Sequence, residues 1–304
     1  MAVAHLQPKE FIAKTAPEIG PCSEEDAREY TRWLATHHYE NFHVVSLLLP
    51  KQLHQHFYNV YAFCRWADDL GDEIGDPRES LRLLAWWREQ LRAMYQGHAT
   101  HPVFMALKAT VEQYDIPIQP FDRLIQAFEQ DQTTTRYQTF DDLFAYCVNS
   151  ANPVGHLVLY LCGYRDRERQ NLSDHTCTAL QLANFWQDVT IDLEKNRIYL
   201  PIELFGKYGY TEEELFANKF NRRFQMLMQD AVLVAEELFH KGMPLVKQVE
   251  RRLALDVELF SRGGMRILEK IKAQNYNVLD RRPHISKAER VGLFLQCLPR
   301  LLPF

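Results

Sequence analysis

The chain has 304 residues, 46% of them hydrophobic and 25% charged, enough for a sizeable core in one large domain or two closely packed halves. A net charge of -5 and a pI near 6.2 give no general attraction to polyanions, which excludes nucleic acid as a partner. The N-terminal MAVAHLQPKEF is not expected to act as a secretory signal, no stretch reaches the roughly 20 apolar residues of a membrane span, and the six scattered cysteines show neither CxxC nor zinc spacing, so a cytoplasmic protein with reduced thiols is expected.

Glycine is scarce, at 12 residues, and no Asn-Gly or Asp-Gly turn joins alternating strands, so helices should dominate. Ser23 with Asp26 opens a helix over 23–36 in the manner of a capping box. A helix over 51–72 follows Pro50 and stops before Gly75-Asp76-Pro77. Helices over 78–95, 101–114 and 119–131 come next, separated by breaks at 97–102 and at Ile116-Pro117. Helices over 140–150 and 153–163 meet at Asn152-Pro153. One long helix is expected over 174–194, then, beyond Pro201, helices over 220–241 and 245–273, and past Arg282-Pro283 a last one over 286–298. Thr211 with Glu214 and Ser286 with Glu289 carry the S/T-x-x-E start pattern. No solenoid-length repeat or flexible linker interrupts the series, and a single all-α domain over 1–304 is the expectation.

The first helix with chemical content ends in Tyr61-Ala-Phe-Cys-Arg65-Trp-Ala-Asp68-Asp69-Leu-Gly-Asp72. Asp68 and Asp72 are four apart and leave the same helix face, where they can share a cation. They also sit at a helix C-terminus, which disfavours anions, so a bound metal would explain them. Taken alone, a solvated acidic helix end fits the same residues.

About 120 residues later, Gln181-Leu-Ala-Asn184-Phe-Trp-Gln187-Asp188-Val-Thr-Ile-Asp192 places Asn184, Asp188 and Asp192 at i, i+4 and i+8 among apolar neighbours. Carboxylates in such a setting are costly unless neutralised. An interhelical salt-bridge ladder is the plainer alternative. Oxygen donors without His or Cys favour Mg²⁺, which is usually held by one or two carboxylates with substrate phosphates completing its shell. Two such clusters could bracket a diphosphate through shared metal ions, with Arg65, Lys195, Arg197 and Tyr199 as nearby assistants and Arg136 and Tyr137 as weaker ones.

Ionisation of an allylic diphosphate leaves a carbocation, which needs an apolar, shaped pocket. Residues 140–163 can wall one: Ser150, Ala151 and Gly155 leave space, and Tyr146 offers a hydroxyl and a π-face. Plain helix packing explains that segment equally well. The histidines do not favour a metallohydrolase, because there is no HExxH and His54 and His56, two apart, point to different faces.

At this point the chain resembles the squalene and phytoene synthase family. The family's FCRxxDDxxD and QxxNxxxDxxxD forms are present as Phe63 to Asp72 and Gln181 to Asp192, and RIYLP, Arg197 to Pro201, extends the likeness over most of residues 37–280. The resemblance implies an all-α isoprenoid (terpenoid) synthase fold around a central cavity, Mg²⁺ as cofactor, and farnesyl-derived diphosphates as substrates. It implies that Asp68, Asp72, Asn184, Asp188 and Asp192 hold Mg²⁺, and that Tyr61, Arg65, Tyr146, Gln181 and Tyr276 line the substrate site. HYENF (residues 38–42), SANPVG (150–155) and NFWQDV (184–189) resemble the hydroxysqualene synthase branch of bacterial hopanoid biosynthesis. Where condensing members commonly have Leu-Arg-Asp, this chain has Trp186-Gln187-Asp188.

That branch converts presqualene diphosphate to hydroxysqualene by diphosphate release, cation rearrangement and water capture, without NADPH. The alternatives are a squalene or presqualene diphosphate synthase joining two farnesyl diphosphates, the former with NADPH, and a noncatalytic isoprenoid-binding helical protein. Handover to other enzymes of squalene synthesis is implied as well. The apolar tail, Val291 to Phe304, is too short and too rich in Pro and Arg to span a membrane. It is expected either to pack as a last helix or to dock reversibly on the inner face of the membrane.

Overall fold

The computed structural model describes Gln7, Pro8, Glu10, residues 22–37 and residues 50–297. The HYENF segment and the end of the apolar tail lie outside the described residues. In chain order the helices are α1 (Glu24–His37), α2 (Lys51–Asp72), α3 (Pro77–Tyr95), α4 (Pro102–Tyr114), α5 (Gln119–Gln130), α6 (Phe140–Ser150), α7 (Asn152–Leu161), α8 (Arg167–Gln187), α9 (Val189–Glu194), α10 (Ile202–Tyr208), α11 (Glu212–Phe216), α12 (Arg222–Gly242), a 3-10 turn (Met243–Lys247), α13 (Arg251–Ala273) and α14 (Lys287–Cys297). Among the described residues the one β-type pairing is an isolated bridge between Arg136 and Ile198, so the fold is all-α as the composition implies. No helix of the described residues is long and apolar enough to cross a membrane.

The chain forms two compact units, Met1–Thr133 with Pro153–Arg165, and Thr134–Asn152 with Asp166–Phe304. In the first, α1 to α5 and the body of α7 surround an aromatic core. Trp66 and Trp87 stack at 5.1 Å, with Phe63, Phe104 and Phe121 fully buried around them. A polar knot ties the helices: Asn59 of α2 donates to the Ala106 carbonyl and Thr110 Oγ1 of α4, both at 2.9 Å, and accepts from Thr31 Oγ1 of α1 at 2.7 Å. Because each buried polar group finds a partner, the knot fixes register rather than weakening the core. The helix starts follow local chemistry. Ser23 and Asp26 cap α1 reciprocally, and Asp76 accepts from the Arg78 amide at the head of α3, where Pro77 occupies the first turn.

In the second unit α8 packs against α12 and α13. Trp186 is fully buried and donates Nε1 to the Ala231 carbonyl of α12 at 2.9 Å. Gly242 lets α12 close on α8, since a Cβ there would lie 2.2 Å from Thr176 Oγ1 and 2.9 Å from the Thr176 backbone nitrogen. Gly264 does the same for α13 against Phe239 and Leu180.

The helices depart from the sequence expectation in three places. The long helix over 174–194 starts earlier, at Arg167, where Asp166 accepts from the Arg169 amide, and it breaks at Asp188, whose φ of -107° and ψ of 16° leave helical geometry. Hydrogen bonds from the Asp188 amide to Asn184 and from the Asp192 amide to Asp188, both 2.9 Å, bridge the break, so α8 and α9 form a kinked pair. The short helices α10 and α11 were not expected, because seven and five residues are too few to display a helical period, although Thr211 does cap α11. Residues 243–247 form a 3-10 turn led by Pro244, and α13 starts only at Arg251, capped by Glu250.

Asp256 of α13 is only 3% exposed, with neither carboxylate oxygen hydrogen-bonded among the described residues. Burial, and secondarily the charge of Glu250, push its pKa up to about 7. The native state therefore binds a proton that the unfolded state releases near pH 4, and stability falls as pH rises from about 4 through about 7. Asp256→Asn is expected to flatten this fall, raising stability at pH 8 by about 4 kcal/mol at most while changing little at pH 4. Urea unfolding at both pH values measures it, and equal changes at the two would contradict the assignment.

Candidate active site

In the first unit the candidate residues follow from the geometry of α2. Tyr61, Arg65, Asp68 and Asp72 are spaced i, i+4, i+7 and i+11, so they share one face. The neighbouring carboxylates divide: Asp69 is buried, whereas the Asp68 side chain is 39% exposed. Arg65, itself buried, serves both. Its Nη1 donates to Asp68 Oδ2 at 2.9 Å and its Nη2 pairs with Asp69. Sequence reasoning missed the role of Asp69, because an Asp-Asp dipeptide does not say which member turns inward. Tyr61 and Asp72 are half-buried beside this pair.

In the second unit Asn184 is exposed and Gln181, Asp188 and Asp192 are half-buried along α8 and α9. Arg282, which sequence reading passed over, holds Asp188 with a two-pronged contact, Nε to Oδ1 and Nη2 to Oδ2, the latter at 3.1 Å. What brings it there is Gln187, a buried residue whose Nε2 donates to the Pro283 carbonyl at 2.7 Å. The motif's own side chain thus clasps the segment after α13. The only signal in the sequence was the Arg-Pro break itself.

The stretch after α9 is equally well fixed. The Ile198 amide donates to the Thr135 carbonyl and the Ile202 amide to Tyr137, each at 2.9 Å, so Arg197 and Tyr199 are held by backbone pairing. Arg136 is committed to this turn: it bonds the Asn196 carbonyl at 2.6 Å, Asn196 Oδ1 at 3.0 Å and Glu212 at 2.9 Å. Lys195 is exposed and Arg197 half-buried. Tyr146 lies in an aromatic group with Tyr137, Phe185 and Tyr199, in which Phe185 and Tyr199 stack at 3.6 Å. Such a group presents π-faces that suit a cation. Tyr276 is half-buried in the turn after α13, with a left-handed φ of 64°.

A cleft of about 380 Å³ runs between α8 and α13, bordered by Asn184 and Gln187 on one helix, Phe260, Gly263 and Ile267 on the other, and Arg282 at the rim. A larger hollow of about 660 Å³ among α12, α13 and α14 contains none of the candidate residues. Its charged lining is already ion-paired, Arg262 with Glu258 and Arg266 with Glu269 and Glu289.

The donors at both clusters are carboxylate and amide oxygens, a set that suits Mg²⁺ and not zinc. Among the described residues no three His, Cys, Asp or Glu converge on one point. That is compatible with Mg²⁺, which commonly takes one or two carboxylates and completes its shell with phosphate and water. The residues therefore fit the ion.

A sequence profile described as squalene/phytoene synthase matches residues 35–289. The crystal structure of squalene synthase HpnC from Alicyclobacillus acidocaldarius is similar with a TM-score of 0.80 and 44% identity, over 84% of this chain and 96% of that one. A phytoene synthase from Thermus thermophilus is 31% identical over 84% of this chain and 87% of its own length. A dehydrosqualene synthase solved with a ligand shares the fold at TM-score 0.82 and 24% identity, over 91% and 97% of the two chains.

Removing Arg65 leaves Asp69 as an uncompensated buried charge. Arg65→Met is expected to lower unfolding free energy by about 3–5 kcal/mol, and Arg65→Met with Asp69→Leu to restore most of it, by urea denaturation. A single variant as stable as the parent would refute the pairing.

Proposed function

Because the chain belongs to the squalene/phytoene synthase family, whose members are head-to-head isoprenoid synthases, we propose that it ionises presqualene diphosphate and lets water capture the rearranged cation, giving hydroxysqualene. The observation that carries this choice is the pair before Asp188. An Arg at position 187 would offer a guanidinium beside the metal-ligand candidate, as a second diphosphate would require. Gln187 instead is buried and committed to the Pro283 carbonyl, and one guanidinium, that of Arg282, reaches Asp188 from outside the motif. One diphosphate per turnover suits that charge complement better than two.

In this reading Asp68 and Asp72, and separately Asn184, Asp188 and Asp192, supply oxygens to Mg²⁺. When bound, the ion withdraws charge from the departing diphosphate. Arg65 aims Asp68 through its Nη1 hydrogen bond, while Arg282 holds Asp188 in the same way. Lys195 and Arg197 follow α9 on a backbone fixed by the Thr135 and Tyr137 carbonyls and add positive charge for the leaving group. Tyr61, Gln181 and Tyr276 orient the substrate. Tyr146, with the aromatic group around it, stabilises the cation through its π-face. No hydride donor is needed, so NADPH plays no part. Peripheral contact with a lipid surface, supported by the exposed Val291 and Leu295 of α14, would suit a water-insoluble C30 product passed to the next enzyme.

The likeness to a protein described as a squalene synthase favours a second reading, squalene formation with NADPH. Incubation with Mg²⁺ and presqualene or farnesyl diphosphate, with and without NADPH, separates the two by mass spectrometry. Hydroxysqualene from the presqualene substrate without NADPH is expected, and squalene formed only with NADPH would overturn the first reading. Asp68→Asn and Asp188→Asn should each lower turnover roughly 100-fold or more with unchanged circular dichroism, and near-parental rates would remove these residues from the metal site.

A further inference from the structure

We propose that Asp256 is the base of the water-capture step: its carboxylate holds a water at the inner end of the cleft between α8 and α13 and takes a proton as the water oxygen bonds to the carbocation. The inference rests on the hydroxylating reaction proposed above.

Its placement follows from helix geometry. The α13 residues that line the cleft, Leu259 to Ile267, lie three, four, seven, eight and eleven positions after Asp256, which puts Asp256 on the same face, one turn further in. The two helices run in the same direction. Arg169 Nε donates to the Gln248 carbonyl at 2.7 Å ahead of α13, and Gly264 meets Leu180 further along. Asp256 therefore lies inward from Asn184, towards the start of α8.

Three acidic residues are buried among the described residues. Asp69 is paired with Arg65 and Glu258 with Arg262, but Asp256 has no hydrogen-bond or ionic partner. Two buried acceptor oxygens without a protein donor are a seat for water, which can satisfy both and still present a lone pair. Burial raises the pKa of this carboxyl to about 7, where a general base works best. Leu259 and Phe260 follow Asp256 on this face and add an apolar lining to the cleft.

The step balances. The water oxygen forms a bond to the cationic carbon, one O–H bond breaks, and the proton passes to Asp256. Cation, water and carboxylate become a neutral alcohol and a neutral carboxylic acid, which returns its proton to solvent before the next turnover. Without the base, the cation loses a proton to the released diphosphate and ends as an unsaturated C30 hydrocarbon.

The test incubates the full chain and its Asp256→Asn variant with Mg²⁺ and presqualene diphosphate, without NADPH, measuring released diphosphate and C30 products together. Diphosphate release is expected to stay within about threefold of the parent, while hydroxysqualene falls roughly tenfold or more in favour of the hydrocarbon. An unchanged ratio of hydroxysqualene to diphosphate, or a parallel fall of both, would overturn the assignment. Asp256→Ser, checked by circular dichroism and melting, repeats the measurement if the Asn variant folds poorly. Failure of the parent to make hydroxysqualene would instead overturn the reaction itself, and that arm is independent of the variants.

Discussion

A carboxylate on a helix flank that packs into apolar surroundings loses its hydration and has to be met by a cation, a donor or a proton. Each acidic feature of this protein answers that demand differently. On α2, Arg65 lies one turn before its two aspartates and neutralises both, one inward and one outward. At Asp188 the cation comes from Arg282, 94 positions away in sequence. At Asp256 neither a cation nor a donor arrives, and the proton itself becomes the counter-charge. The three solutions grade from locked, through exchangeable, to titrating.

Arg65 is confined to a buried position and holds Asp69 as a structural pair, so Asp68 is left as the member that can serve a ligand. Arg282 is more exposed and lies on the connection after α13, held through the Gln187 bond to Pro283. The break in the helix at Asp188 follows from the same contacts: Trp186 is bonded to α12, Gln187 to the Pro283 carbonyl, and the Asp188 side chain to Arg282. Continuous helical geometry would have to release at least one of them. A kink at a candidate ligand is thus the local outcome of three anchors on consecutive residues.

Much of this was legible in the sequence. The all-α class followed from scarce glycine and strong helix starts, and the paired motifs placed the acidic residues on α2 and on α8 with α9. Ser286 and Glu289 do bond reciprocally at the head of α14. What could not be read was tertiary in origin. Periodicity predicts which helix face is apolar, yet it does not tell Asp68 from Asp69, because both border the same stripe. Arg282 and Pro283 read as punctuation, and only the fold shows the side chain of one and the carbonyl of the other bound to consecutive motif residues. Asp256 carries no signal in the sequence, for a lone acid in an amphipathic helix carries no mark of its burial.

The glycines at 242 and 264 have a consequence for anyone who would reshape this scaffold for another product. With no Cβ at Gly242, the backbone of α8 and the end of α12 are already in contact, and Gly264 leaves room on α13 for the side chains of Phe239 and Leu180. At Gly242 the two helices can therefore come no closer, because backbone already meets backbone. Any narrowing of the cleft has to be made in the side chains that project into it, Phe260 and Ile267 foremost, with the frame left as it stands.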